Sequence, residues 1–287
     1  MMKNEKTKRV ISGIIIILVT FPILFFTGTP VITVYMLFVA VVGLYELLKC
    51  CKLDKWYIIV PAEIIAVVSH FICRLHIFGL PDLEQSKLLL IYGFMAALFV
   101  IYLFTLTVFL PDKYNIETNG FAGLMCLYVL SGTLTPVMLS ELPNGEFDFP
   151  LIFISAWMTD WFAYMIGSKL GKHKLCPTIS PKKSVEGAVG GIVGNIVGFA
   201  IYTIVLAIFF PNVKPNYISL LLSAVVLSVI SQLGDLFMSL VKRRFGIKDY
   251  GKLIPGHGGI LDRFDSITAV SIVIFIFYSA FKITRGF

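Results

Sequence analysis

Four aspartates stand where hydration cannot explain a carboxylate. Asp160 lies in WMTDWFAYMIG and Asp235 in VISQLGDLFMSLVKR, each within an apolar run, while Asp262 and Asp265 open the last such run. A charge placed inside a membrane span costs on the order of 3 kcal/mol by insertion scales, so each acid is a candidate for function. Asp235 precedes Lys242 by seven residues, roughly 10 Å along a helix. Asp262 and Asp265 are three apart and share a helix face. They also sit at a helix N-terminus, where the macrodipole favours negative charge. Taken alone, Asp262 reads as an N-cap and Asp265 as a first-turn acid. For Asp235 the plain alternative is a buried ion pair, but few basic residues fall deep within the apolar runs. Oxygen donors with no His/Cys set point to a hard divalent cation, Mg²⁺, at Asp235 with Asp262 or Asp265. Asp160 is a further acid of that set.

Cations crowd around these acids. From Ser239 to Ser266 the chain reads SLVKRRFGIKDYGKLIPGHGGILDRFDS, a polar stretch between two apolar ones. It carries Lys242, Arg243, Lys248, Lys252 and Arg263. Within it Gly256, Gly258 and Gly259 flank His257, and such a loop can turn successive backbone N–H groups toward an anion. His257 is a candidate for phosphate contact or proton transfer, with a structural role as the alternative. A second basic loop, GSKLGKHKLCPTISPKKSVEG, holds Lys169, Lys172, Lys174, Lys182 and Lys183. In it Ser180 leads to Lys182 and Lys183, and Ser184 is placed to cap the next helix, whose N-terminus would face an anion. Positive-inside anchoring would also account for these lysines. Two cationic loops facing four acids are what a metal–nucleoside triphosphate requires.

These residues must be positioned by a membrane scaffold. Of 287 residues 57% are hydrophobic and 14% charged, against about a quarter charged in ordinary soluble domains. The mean hydropathy of +0.89 agrees. About 20 apolar residues cross the bilayer as a helix, and backbone groups in lipid must bond internally. The expected fold is all-α and polytopic, with about nine transmembrane helices at 10–28, 30–49, 56–73, 88–110, 119–141, 149–170, 186–210, 217–241 and 262–284. Gly28 and Pro30 make a tight turn between the first two, and Pro61, Glu63 and His70 interrupt the third. The first run is longer than a signal-peptide core and lacks a cleavage site, so it is expected to be retained. With the N-terminus inside, 19 Lys and Arg fall in cytoplasmic segments and 5 outside, which sets the orientation and puts both basic loops on the cytoplasmic side. The net charge of +7 is accounted for by orientation and anionic headgroups, with no nucleic acid implied. Residues 1–145 read as scaffold and 146–287 as the catalytic part of one continuous membrane domain. Gly187, Gly191, Gly194 and Gly198 recur along the seventh span as a smooth face for close helix packing. The five cysteines have no zinc-ligand spacing and read as small apolar fillers.

The stretch from Ser239 to Asp265 resembles the signature of bacterial phosphatidate cytidylyltransferases, the CDP-diacylglycerol synthases. The matching positions include Ser239, Lys242, Arg243, Lys248, Asp249, Gly251, Pro255, His257, Gly258, Gly259, Asp262, Arg263 and Asp265. A second block, from Asp160 through AYMIGSKLGKHKL to ISPKKSVEG, is similar too, with Ser184 where threonine is commoner. The resemblance covers roughly 155–270. It implies reaction of CTP with phosphatidate to CDP-diacylglycerol and pyrophosphate, an all-helical fold with a cytoplasm-facing cavity, and Mg²⁺ in a metal pair held by acids matching Asp235 and Asp262.

On this expectation Asp235, Asp262, Lys242, Arg263 and His257 carry catalysis. Ser180, Lys182, Lys183, Arg243, Lys248, Gly256, Gly258 and Gly259 hold substrate, and Asp160, Asp235, Asp262 and Asp265 supply metal ligands. The expected partners are CTP, phosphatidate in the bilayer and surrounding lipids, with a homodimer as a further option. The expected location is the cell inner membrane. Two other readings stay open at this point: a CTP-dependent lipid kinase, and an organic-ion transporter using the intramembrane acids as ion sites.

Overall fold

The computed structural model describes residues 18, 20–75, 85–281 and 284–285. Each long apolar run within them is a helix: α1 (Pro30–Cys50), α2 (Trp56–Leu75), α3 (Gln85–Phe109), α4 (Ile116–Ser140), α5 (Gly145–Leu170), α6 (Val185–Phe209), α7 (Tyr217–Arg244) and α8 (Leu261–Phe281). Their ends lie within four residues of the spans expected from sequence. The first expected span, 10–28, falls mostly outside the described residues. Among the described residues seven helices, α1 to α7, are long and apolar enough to cross a membrane. The described residues therefore do not confirm the expected count of about nine. α8 forms where expected, but begins with Asp262, Arg263 and Asp265.

The chain divides into two compact units. One comprises the described residues up to Met138 together with Asp249–Arg263. Its core holds Met36, Leu44, Leu47, Ile58, Leu103 and Met125, all essentially inaccessible. α2 runs through Pro61 without breaking. Proline has no N–H, so the carbonyl four residues back loses its helical donor. That carbonyl belongs to Tyr57, and the Tyr102 hydroxyl donates to it at 2.5 Å. The helix keeps its hydrogen-bond count by borrowing a side chain from α3. Along α3 itself Leu90, Phe94, Leu98, Ile101, Phe104 and Val108 are exposed at helical spacing, an outward stripe suited to lipid.

The second unit comprises Leu139–Lys248 and the chain from Phe264 onward. Here α6 is two-faced by size rather than polarity. Val189, Val193, Val197, Ile201 and Ile204 point outward, while Gly187, Gly191, Gly194 and Gly198 are buried. A Cβ at Gly187 would meet Ala163 O at 2.7 Å, one at Gly191 Thr159 O at 3.0 Å, and one at Gly198 Met158 Cγ at 2.7 Å. At Gly194 it would enter the Phe162 ring. The glycine face is thus the seat of α5, as the spacing indicated. Polar side chains tie the same helices: Thr159 Oγ1 donates to Ser228 Oγ at 2.9 Å, Asn195 Nδ2 to Ala224 O at 2.7 Å and Gln232 Nε2 to Ala188 O at 3.1 Å.

Two small β elements depart from the all-helical expectation. β1 (Lys174–Cys176) pairs antiparallel with β2 (Ser180–Ser184), and β3 (Lys214–Pro215) with β4 (Thr284–Arg285). The first pair turns the basic loop between α5 and α6 into a hairpin. Cys50, Cys51, Cys73 and Cys126 are buried and all described cysteines are free thiols, consistent with filler.

Candidate active site

In the second unit the hairpin is fastened at its base. Val185 N donates to His173 O at 2.9 Å. Glu186 accepts from Lys172 N at 3.1 Å and His173 N at 3.2 Å, and its carboxylate lies 2.6 Å from His173 Nδ1. Ser184 is the expected N-cap of α6, accepting from Gly187 N at 3.2 Å. Alternation along β2 then turns Lys182 outward and leaves Lys183 half-buried. Ser180 is half-buried at the other end of the strand.

Lys183 reaches α7, where its Nζ lies 2.5 Å from Asp235 Oδ2. Ser239, one turn on, donates to Asp235 Oδ1 at 3.4 Å. Lys242, only 7% exposed, lies within electrostatic reach of Asp235 and of Asp265. Asp265 comes close because α7 carries glycine opposite it: a Cβ at Gly234 would meet Ala269 Cβ at 2.6 Å and Asp265 O at 3.1 Å. Asp265 Oδ1 accepts from Ser266 N at 2.8 Å. Asp160, exposed on α5, also acts electrostatically on Asp265. Three carboxylates and two ammonium groups thus converge here, drawn from α5, β2, α7 and α8. Among the described residues no three acids, histidines or cysteines adopt ligating geometry for a metal ion. The ion pair that stood as the plain alternative for Asp235 is thus present, with Lys183 of the basic hairpin as its partner.

The remaining cations of this unit are placed differently. Arg243 is exposed and donates through Nη1 to Ile247 O at 3.0 Å, closing the turn after α7. Lys182 and Lys248 are exposed.

In the first unit the stretch 249–263 is folded around Asp262. Its Oδ2 accepts from Tyr250 N at 2.7 Å and Gly259 N at 3.0 Å. Gly256 and Gly258 have φ of +79° and +89°, a region that side chains disfavour. Several amides of this loop are bonded internally. His257 N and Gly258 N both donate to Ile254 O, at 3.0 and 3.1 Å, and Gly259 N is taken by Asp262. The amides of Gly258 and Gly259 are turned into the loop, where they hold the turn. Arg263 is exposed, and His257 is half-buried.

Sequence reasoning missed Glu46. It is buried in α1, and its two oxygens accept from Ile260 N at 3.2 Å and Leu261 N at 2.9 Å. The available signal was an acid in an apolar helix, one turn before Lys49.

Comparison with known proteins decides the family. Residues 7–281 match the Cytidylyltransferase family. The chain belongs to it. A phosphatidate cytidylyltransferase of Staphylococcus haemolyticus (strain JCSC1435) is 33% identical over 269 residues, covering 91% of this chain and 95% of the relative. That of Bacillus subtilis (strain 168) is 32% identical over 294 residues, covering 97% and 99%. That of Staphylococcus aureus (strain COL) is 32% identical over 264 residues, covering 91% and 95%. This cytidylyltransferase is thus similar to such enzymes along nearly its whole length, which supports neither a lipid kinase nor a transporter.

Proposed function

We propose that this cytidylyltransferase joins CTP to phosphatidate, giving CDP-diacylglycerol and pyrophosphate. The observation that carries the reading is the meeting of Asp160, Asp235 and Asp265 with Lys183 and Lys242 in a helical, membrane-type unit of a family named for cytidylyl transfer. The phosphatidate phosphate oxygen attacks the α-phosphorus of CTP. A new P–O bond forms as the α–β bridging P–O bond breaks, and the electron pair leaves with pyrophosphate. The nucleophile is already an anion, so no strong general base is needed. The protein's task is alignment and neutralisation of charge.

Lys183 and Lys242 are placed to neutralise phosphate oxygens beside the acids. Lys182, on the outer face of β2, meets a phosphate arriving from solvent. Lys248, Arg243, His257 and Arg263 are proposed for the triphosphate on the strength of the motif alone. The donors around Asp235 are carboxylate oxygens, and a cation, the Lys183 ammonium, already sits on one of them. That chemistry fits Mg²⁺, which Asp235, Asp265 and Asp160 would hold. When bound it supplies positive charge to phosphate oxygens. Asp262, whose Oδ2 accepts from the loop amides of Tyr250 and Gly259, is proposed as a metal ligand on the strength of the motif alone.

The lysine and arginine asymmetry supports a multi-pass protein of the inner membrane, N-terminus and active site cytoplasmic, with about nine spans when 10–28 and α8 are included. The reading is tested by incubating the purified full chain with phosphatidate, Mg²⁺ and CTP labelled at either the α- or the γ-phosphorus. Lipid-soluble label from the α-position only is expected. Lipid label from the γ-position would mean phosphoryl transfer and would overturn the reading.

A further inference from the structure

The loop 249–263 is organised by a carboxylate from the other end of its unit's sequence. Glu46 stands four residues before the end of α1 and is only 4% exposed. An acid there is costly unless its lone pairs are used. Both oxygens are used, on the amides of Ile260 and Leu261. With Gly259 N held by Asp262, three successive amides at the start of α8 are satisfied by two carboxylates. The start of a helix presents amides without intrahelical partners and a positive dipole end, which answers both the charge and the lone pairs of Glu46. The fit is tight. A Cβ on Gly251 or Gly259 would run into the Glu46 carboxylate, and for Gly259 the three nearest atoms all belong to Glu46. Two glycines of this loop are therefore glycines because a protein carboxylate lies against the backbone.

We propose that Glu46 is a positioning residue for cytidylyl transfer. Its carboxylate fills the N-terminal end of α8 and fixes the loop that presents His257, Asp262 and Arg263. The inference rests on the proposed reaction for its catalytic meaning and on geometry alone for the seating of the loop. It also gives the N-terminal half, expected to be scaffold, a part in the chemistry.

The test uses the full chain in detergent with four variants: Glu46→Gln, Glu46→Ala, Gly259→Ala and the Glu46→Ala/Gly259→Ala double. Glu46→Ala should lower kcat about 30-fold or more while KM for CTP stays within about threefold, the pattern of lost positioning rather than lost binding. Glu46→Gln keeps one acceptor oxygen and should fall between wild type and Glu46→Ala. Gly259→Ala should be impaired because its methyl meets the carboxylate, and the double variant should be no worse than Glu46→Ala, since the clash has gone. Trypsin cleavage after exposed Lys252 reads the loop without reference to turnover, and should accelerate in Glu46→Ala. Wild-type kcat in Glu46→Ala, losses that multiply in the double variant, or unchanged cleavage after Lys252 would each overturn the proposal. A wild-type chain that makes no CDP-lipid would overturn the reaction instead, with the cleavage arm still deciding whether Glu46 holds the loop.

Discussion

Lys183 and Asp235 form an ion pair of two half-buried groups, each 25% exposed, and the pair sits against two further acids. Removing the ammonium leaves Asp160, Asp235 and Asp265 with Lys242 as their named cation. Like charges in a site of lowered polarity repel, so Lys183→Met should melt earlier than wild type in the absence of divalent ions. Added Mg²⁺ should then stabilise the variant more than wild type, since a ligand that binds only the folded state raises its stability by mass action. Melting curves in detergent with and without Mg²⁺ check this; an equal Mg²⁺ response in both proteins would contradict it. The acids of this cluster were legible in the sequence because charge in an apolar run is costly and needs a reason. Lys183 was legible as a cation near a helix start, but its partner was not, because strand alternation in an unforeseen hairpin chooses which of two adjacent lysines turns inward. The loop glycines were legible as turn residues. Asp262, three residues on, takes the amide of Gly259, and Glu46, remote in sequence, takes those of Ile260 and Leu261.

At the level of elements, α6 depends on a face without side chains. Gly194→Ala would drive a methyl into the Phe162 ring, and overpacking of this kind costs about 1–3 kcal/mol. Gly93 on α3 has nothing within 4 Å of an added Cβ, so Gly93→Ala should be neutral or stabilising by up to about 1 kcal/mol from helix propensity. Thermal melts of the two variants should move in opposite directions or leave Gly93→Ala unchanged. A tolerated Gly194→Ala would mean that α5 and α6 are not so closely seated. Helix positions were readable because apolar length is a strong signal, and α2 continued through Pro61 because Tyr102 repairs the missing bond. The β1–β2 hairpin was not readable: its strands are three and five residues long, and their stability comes from Glu186 and Ser184 at the base rather than from any strand-like pattern.

For the whole molecule, charge asymmetry fixes an expected topology, N-terminus inside and C-terminus outside. A reporter fused after Phe287 should be active when it requires the outer side and silent when it requires the cytoplasm; the reverse would contradict the odd number of spans. Each of the two units carries one half of what the sequence presented as a single motif. The boundary falls inside α8, between Arg263 and Phe264. Periodicity cannot show such a division, because α8 is continuous across it. The central proposal is that Asp235, in the second unit, anchors the catalytic cluster. It is tested most directly by the turnover of Asp235→Asn in liposomes containing phosphatidate, at saturating CTP and Mg²⁺, with folding followed by thermal melting. The expected result is a folded protein whose turnover is down about 1000-fold or more, the scale of a lost electrostatic centre. A folded variant turning over within about threefold of wild type would contradict the account.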